Sequence, residues 1–166
     1  MDMRFVLAIS AALTFGTTVL AEGLTGFTPA ATEQCLASMS ENQWPNTCIG
    51  HSATVCMETT EGGWSTIGMS RCWEQELNYW DARLNAAYKD VRAKRKRSDA
   101  IETQAPSQVE ALKQMQRAWI TYRDAKCAYE RSHWFGGTGG GPAAISCLMY
   151  ETANQALYLE VDAQVE

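Results

Sequence analysis

Residue types that commonly carry catalysis are sparse in this sequence. It has two histidines, His51 and His133, and each stands beside a serine, Ser52 and Ser132. Neither pair lies in a G-x-S-x-G turn, which presents the nucleophile of many hydrolases. The chain also lacks the H-E-x-x-H, phosphate-loop and dinucleotide-binding motifs. We therefore predict that the protein is not an enzyme and uses no cofactor.

The six cysteines favour disulfide bonds over a metal site. Zinc sites commonly use C-x₂-C pairs, which are absent, and neither histidine has zinc-finger spacing. We predict no bound metal and three disulfides, although the sequence alone leaves several pairings open. The cysteines are Cys35, Cys48, Cys56, Cys72, Cys127 and Cys147.

One segment combines two large aromatic side chains with a run of glycines that ends before Pro142. An apolar loop tip of this kind is suited to enter a cleft of a partner protein, and a bond between Cys127 and Cys147 would close its base. In the alternative, the aromatic side chains fold back onto the core and the glycines only turn the chain. The predicted partner-binding residues are Trp134, Phe135, Gly136, Gly137 and Thr138.

The helices that would position this loop follow from the spacing of apolar residues. After Cys72, such residues recur three and four apart, which predicts an amphipathic helix of about 24 residues. Ser107 and Glu110 have the S-x-x-E spacing of a capping box, so a second helix is expected from there to about Arg131. We expect no regular structure in the glycine run and a third helix from Pro142.

The segment before these helices has a different character. Residues 22–71 are irregular and acidic, with five acidic side chains against Arg71 alone, and we expect one short helix there, opened by Thr28 and Pro29. Residues 55–65 are compatible with a short hairpin. The predicted fold class is all-α: a small disulfide-stapled bundle of three main helices that follows an irregular acidic N-terminal segment.

The start of the chain resembles a secretory signal peptide. Arg4 precedes an apolar run, and small residues end at Ala21. We predict cleavage after Ala21, a location in the periplasm or medium, and no lipid anchor, because Glu22 is not a cysteine. No later apolar run is long enough to cross a bilayer. The predicted organisation is a signal peptide over 1–21, the N-terminal segment over 22–55, and a helical domain over 56–166.

The charge is acidic overall, with one basic segment. The formal net charge is −5, yet residues 72–98 carry seven basic side chains against four acidic ones. This balance disfavours nucleic acid as the main partner and favours a cationic protein. The basic run at 94–97 suits the C-terminal end of a helix. Contact with an anionic surface is its alternative interpretation.

Two polar residues of the first long helix lie four positions apart. We expect Asp81 and Asn85 to meet Arg123 of the next helix in a buried polar network, with ligand binding as the alternative.

Two ordered motifs then carry a resemblance to a known family. The first, D-x-x-L-N-x-x-Y, covers 81–88, and the second, Q-R-x-W-I-x-x-R-D-x-x-C, covers 116–127. Together with the Gly-Gly-Thr of the loop and the flanking cysteines, they resemble the domain named after the mycobacterial lysozyme inhibitor LprI, over roughly residues 56–160. The motif residues are Asp81, Leu84, Asn85, Tyr88, Gln116, Trp119, Arg123 and Asp124.

The resemblance implies a small, helical, disulfide-bonded exported domain, with lysozyme inhibition as the named activity of one member. Cys35 and Cys48 look additional to the four family cysteines, so we expect them to bond to each other. Gln155 stands where members commonly have Arg, and Glu151 replaces an apolar residue. These departures predict different packing of the last helix.

The expected function is therefore that of a secreted or periplasmic binding protein that inhibits lysozyme-type muramidases. The alternative is a structural or interaction module of the cell envelope that neutralises a toxin or contacts peptidoglycan, with residues 92–97 as its contact and no lysozyme inhibition.

Overall fold

A computed structural model describes residues 26–40 and 43–164. Over these ranges the chain forms helices and no strands, which confirms the all-α class. The predicted signal peptide and its cleavage site lie outside the described residues. The elements are α1 Ala30–Ala37, a 3₁₀ helix Pro45–Cys48, α2 His51–Thr59, α3 Thr66–Ile101, α4 Gln108–Ser132 and α5 Gly140–Gln164.

Helices α3, α4 and α5 form the main bundle. Gly141 lies beside Ser70 near the start of both α3 and α5, and Arg83 pairs with Glu160 further along, so these two helices run parallel. Helix α4 lies antiparallel to both. The core between them includes the buried side chains of Trp80, Leu84, Val91, Met149 and Leu159. The burial of these apolar side chains away from water is the main force that assembles the bundle.

The three disulfides join Cys35 to Cys48, Cys56 to Cys72 and Cys127 to Cys147. The expected bond between Cys35 and Cys48 is thus confirmed. The first bond ties α1 to the 3₁₀ helix, the second ties α2 to α3, and the third ties α4 to α5. Each one links elements that are consecutive in the chain.

The N-terminal segment is more regular than predicted. The short helix expected after Pro29 is confirmed as α1, but a 3₁₀ helix and α2 follow it. Helix α2 spans the expected boundary between residues 55 and 56, and it continues to Thr59, so the hairpin suggested at 55–65 is wrong. The chain turns instead through Gly62 and Gly63. The amide of Gly63 donates to the carbonyl of Thr60.

A buried carboxylate explains how this segment is held. Glu76 of α3 is fully buried and accepts hydrogen bonds from the backbone amides of Gly50 and Ala53, at 2.8 and 2.6 Å. The Thr32 hydroxyl and the Trp80 indole also donate to it, at 2.9 and 3.1 Å. The carboxylate therefore caps the N-terminus of α2, where unpaired amides and the helix dipole favour a negative charge.

The long helices begin and end differently from the prediction. Helix α3 starts at Thr66, six residues before Cys72, because the Ser65 hydroxyl accepts from the Gly68 amide. It continues to Ile101, further than the length of about 24 residues that the apolar spacing predicts. Helix α5 starts at Gly140, so the end of the glycine run is helical, and Pro142 occupies its first turn. A proline is tolerated there because the first amides of a helix have no partner within it.

At the start of α4, Ser107 accepts from the Glu110 amide as predicted. The other half of the capping box, in which the Glu110 carboxylate would accept from the Ser107 amide, does not form, because that carboxylate lies beside Lys113. Asp99 of α3 helps to cap the same end of the helix: it accepts hydrogen bonds from the amides of Gln108 and Val109. The bond from the Gln108 amide, with that from the Ser107 hydroxyl, lowers the pKa of Asp99.

Candidate functional site

The predicted partner-binding segment forms a short connection between α4 and α5, with a covalent bond at its base. Helix α4 ends at Ser132 and α5 begins at Gly140. The Cys127–Cys147 disulfide holds the two helices together at this end, with 5.4 Å between its Cα atoms. We refer to residues 134–138 as the loop tip.

The backbone of the loop tip is hydrogen-bonded. The amides of Trp134 and Phe135 donate to the last carbonyls of α4, and the Gly137 amide donates to the Trp134 carbonyl at 2.7 Å. Phe135 has a φ of 48° and Gly136 a φ of 84°. A positive φ suits glycine but is uncommon for other residues, so the turn imposes a strained backbone on Phe135.

The two aromatic side chains of the loop tip differ in their surroundings. Trp134 is 51% exposed, and its ring lies so close to Gly139 that a Cβ atom on Gly139 would be 2.1 Å from the indole. Phe135 is 97% exposed. Phe135 therefore does not fold back onto the core, and Trp134 packs on the glycines at the start of α5 and not among the core side chains.

Further aromatic groups surround the loop tip. The rings of Tyr129 and His133 meet edge to face, with 4.5 Å between their centroids, and His133 Nδ1 lies 3.5 Å from Glu130 Oε2. Trp64 and Ile67 are also exposed at this end of the bundle, where α3 begins. Exposed apolar side chains thus occur both in the loop tip and at the start of α3.

The polar network predicted from Asp81, Asn85 and Arg123 is wrong. Asn85 donates to Asp81 at 2.8 Å, but both side chains are exposed on α3. Arg123 instead pairs with its neighbour Asp124, lies over the Trp119 ring and approaches the Thr152 hydroxyl at 3.4 Å. The rotation of α4 directs Arg123 towards α5 and away from Asp81.

Other family-motif residues have structural contacts. Leu84 is buried in the core, and Tyr88 and Trp119 pack against it. Gln155, at a position that departs from the family pattern, donates to Gln116 at 3.0 Å across the α4–α5 interface. Glu151 forms an ion pair with Lys126 at 2.7 Å, which raises the pKa of Lys126. Both departures therefore have partners on α4.

The basic run at 94–97 does not form one patch, because consecutive residues point in different directions around a helix. Arg95 is paired with Asp162 of α5. Arg92 and Lys96 instead face a groove between α3 and α4, together with basic residues of α4.

Two kinds of site are not found over residues 26–40 and 43–164. No group of three His, Cys, Asp or Glu side chains in these ranges could hold a metal ion. None of the helices described there is long and apolar enough to span a membrane.

Comparison with known proteins assigns the family. A family model described as lysozyme inhibitor LprI matches residues 56–159, from α2 almost to the end of α5. This chain belongs to the LprI family. The match covers the loop tip and the disulfides Cys56–Cys72 and Cys127–Cys147, while Cys35 and Cys48 lie before it. The three disulfides and LprI membership are consistent with a location outside the cytoplasm.

Two curated relatives extend the comparison. An uncharacterised 17.7 kDa protein of Rhodobacter capsulatus, from the puhA 5′ region, is 26% identical over 149 residues, which are 84% of this chain and 91% of the relative. The uncharacterised protein R02472 of Rhizobium meliloti is 31% identical over 100 residues, 58% of this chain and 72% of the relative. No solved structure matches the chain.

Sequence reasoning missed three features of this molecule. Glu76 interrupts an otherwise apolar stripe on α3, between Trp73 and Trp80, and an acidic residue at such a position is a detectable signal of a buried hydrogen-bonded carboxylate. The exposure of Trp64 and the basic groove have no comparable signal, because both depend on how distant segments pack.

Proposed function

We propose that this protein binds and inhibits a lysozyme-type muramidase, with the loop tip entering or covering the active-site cleft of the enzyme. Membership of the LprI family supports the choice of target. The observation that carries the choice of site is Phe135, an apolar ring that is 97% exposed at the end of a loop closed by a disulfide.

The build of the loop supports a role in tight binding. A ring that is exposed in the free protein gains the full benefit of burial in a complex. The Cys127–Cys147 bond, the hydrogen bonds to α4 and the contact between Trp134 and Gly139 hold the loop in shape before binding. Less conformational entropy is then lost on association.

The experiment measures inhibition of a panel of lysozymes by the oxidised protein, and compares Phe135→Ala with the wild type. We expect Phe135→Ala to weaken inhibition by about 2 kcal/mol, roughly 30-fold, if the ring is a hot spot. The matched control is Ile101→Ala, which removes an apolar side chain that is also exposed but lies at the other end of α3. The control should inhibit like the wild type.

Two results would contradict the proposal. Equal inhibition by Phe135→Ala and the wild type would move the site away from the loop tip. No inhibition across the panel, by a protein with intact disulfides, would reject muramidase inhibition. It would favour the alternative of an envelope interaction module, which predicts retention on insoluble peptidoglycan.

A further inference from the structure

A groove runs between α3 and the N-terminal half of α4. It consists of two depressions of about 500 and about 430 Å³ that share Arg92. Five cationic side chains line it, and we call it the basic groove. These side chains are Lys89, Arg92 and Lys96 of α3 and Lys113 and Arg117 of α4.

The helical spacing places these charges on both walls. Lys89, Arg92 and Lys96 follow an i, i+3, i+7 pattern, so they share one face of α3. Lys113 and Arg117 are four residues apart, so they share one face of α4. Because the two helices are antiparallel neighbours, the faces oppose each other along the groove. Arg117 is 16 residues from His133, so the groove lies about 24 Å along α4 from the loop tip.

These charges are largely uncompensated. Arg83, Arg95, Arg123 and Lys126 elsewhere on the bundle each form an ion pair. In contrast, Lys89, Arg92, Lys96 and Arg117 form no ion pair with any carboxylate of residues 26–40 and 43–164, and Lys113 reaches Glu110 only at the surface.

The carboxylate of the groove is itself engaged. Asp99 uses its oxygens for the hydroxyl of Ser107 and the amides of Gln108 and Val109. It is the one carboxylate among the described residues that line the two depressions. A protein with a net charge of −5 thus carries a concentrated positive site.

The groove is not only charged. Ala93 and Val109 line the first depression, and Tyr88 and Ile120 line the second. These apolar groups lie between two rows of cations. A polyphosphate chain would leave these apolar groups without a partner, and a narrow peptide segment can follow both walls of the groove more closely than a flat lipid surface can.

We propose that the basic groove binds an acidic segment of a partner protein, with carboxylates against the five cations and apolar side chains against Tyr88, Val109 and Ile120. Arginines can bind carboxylates through two parallel hydrogen bonds, and Arg92 and Arg117 provide one on each wall. This interaction goes beyond the proposed muramidase inhibition and uses a different surface.

The test is fluorescence anisotropy with the oxidised protein and a labelled acidic peptide that mixes glutamate with leucine. We expect it to bind more tightly than a peptide of equal charge without leucine, and to weaken as salt rises. Arg92→Glu and Arg117→Glu should each weaken binding about tenfold. The matched control is Arg71→Glu, which makes the same charge change on an exposed arginine of α3 outside the groove and should change affinity less than about twofold.

Several outcomes would overturn the proposal. One is no binding of the mixed peptide at about 1 mM protein. Equal losses of peptide affinity in Arg71→Glu and Arg92→Glu would show that the effect comes from net charge and not from the groove. A further outcome is that the groove variants weaken binding of polyphosphate or of phosphatidylglycerol vesicles and leave binding of the mixed peptide unchanged. That result would assign the groove to another class of ligand. Arg92→Glu lies outside the loop tip and makes the protein more acidic, so it should not weaken lysozyme inhibition; loss of peptide binding with inhibition retained separates this test from that of the proposed function.

Discussion

At the scale of single residues, Glu76 is the unusual feature of this molecule. Its carboxylate is fully buried and lies beside no cation among the described residues; it is stabilised by four hydrogen-bond donors. Burial of a charge without such donors is strongly unfavourable. Two of the donors are backbone amides at the start of α2, so this one side chain joins the N-terminal segment to the bundle.

We predict that Glu76→Gln lowers the free energy of unfolding by about 2–3 kcal/mol, because the new amide group would face a backbone N–H that needs an acceptor. Urea unfolding of the oxidised protein measures this change. The matched control is Glu74→Gln on the exposed face of the same helix, for which we expect a change below about 0.5 kcal/mol. Equal stability of the two variants would contradict the structural role of Glu76.

Asp99 predicts a dependence of stability on pH. Its pKa is lowered in the folded protein from the ordinary value of 3.8, chiefly by the hydrogen bond from the Gln108 amide. A lowered pKa stabilises the fold above the ordinary value, and this contribution disappears as the pH falls through the lowered pKa. Asp99→Asn should therefore be less stable than the wild type at neutral pH and approach it in acid.

Thermal unfolding between about pH 7 and pH 2.5 measures this difference. Asp90→Asn, a change at an exposed aspartate of the same helix, provides the control. A gap between Asp99→Asn and the wild type that persists in strong acid would exclude the ionised carboxylate as its cause.

At the scale of elements, the contact between Trp134 and Gly139 decides the shape of the loop between α4 and α5. The indole occupies the space that any side chain at position 139 would need. Gly141, two residues later in the same glycine run, has more room: a Cβ atom there would lie 3.7 Å from the Ser70 hydroxyl, an ordinary contact distance. The glycines of this run are therefore not equivalent.

We predict that Gly139→Ala displaces Trp134 and weakens muramidase inhibition at least tenfold, because the binding loop loses its shape. Gly141→Ala should inhibit like the wild type. Inhibition constants for the two variants, with thermal unfolding as the check on folding, test this prediction. Similar inhibition by both variants would show that the Trp134–Gly139 contact is not needed for binding.

At the scale of the whole molecule, the net charge of −5 acts on the rate of encounter with a cationic muramidase. Opposite net charges accelerate association, and salt screens this effect. We predict an association rate constant that falls about tenfold between about 20 and 200 mM salt, with little change in the dissociation rate. Stopped-flow fluorescence measures both rates, and a rate constant independent of salt would contradict electrostatic attraction.

Local patterns in the sequence were enough for much of the fold. The spacing of apolar residues predicts that a segment is helical, because an α-helix places residues three and four apart on one face. This holds whatever the helix packs against. The cap at Ser107 and the end of α4 near Arg131 are equally local. The two motifs also indicated the LprI family, since a motif is defined by residue types at fixed spacing along the chain and needs no tertiary structure to be detected.

Features that depend on the relative rotation and offset of helices were not accessible in this way. Asp81 and Asn85 share a face of α3, but the packing of α4 turns Arg123 towards Thr152. The burial of Glu76 needs α2 to bring its amides to α3, and the basic groove needs two helices whose charged faces oppose each other. These contacts join residues far apart in the chain, so their formation depends on how whole elements pack.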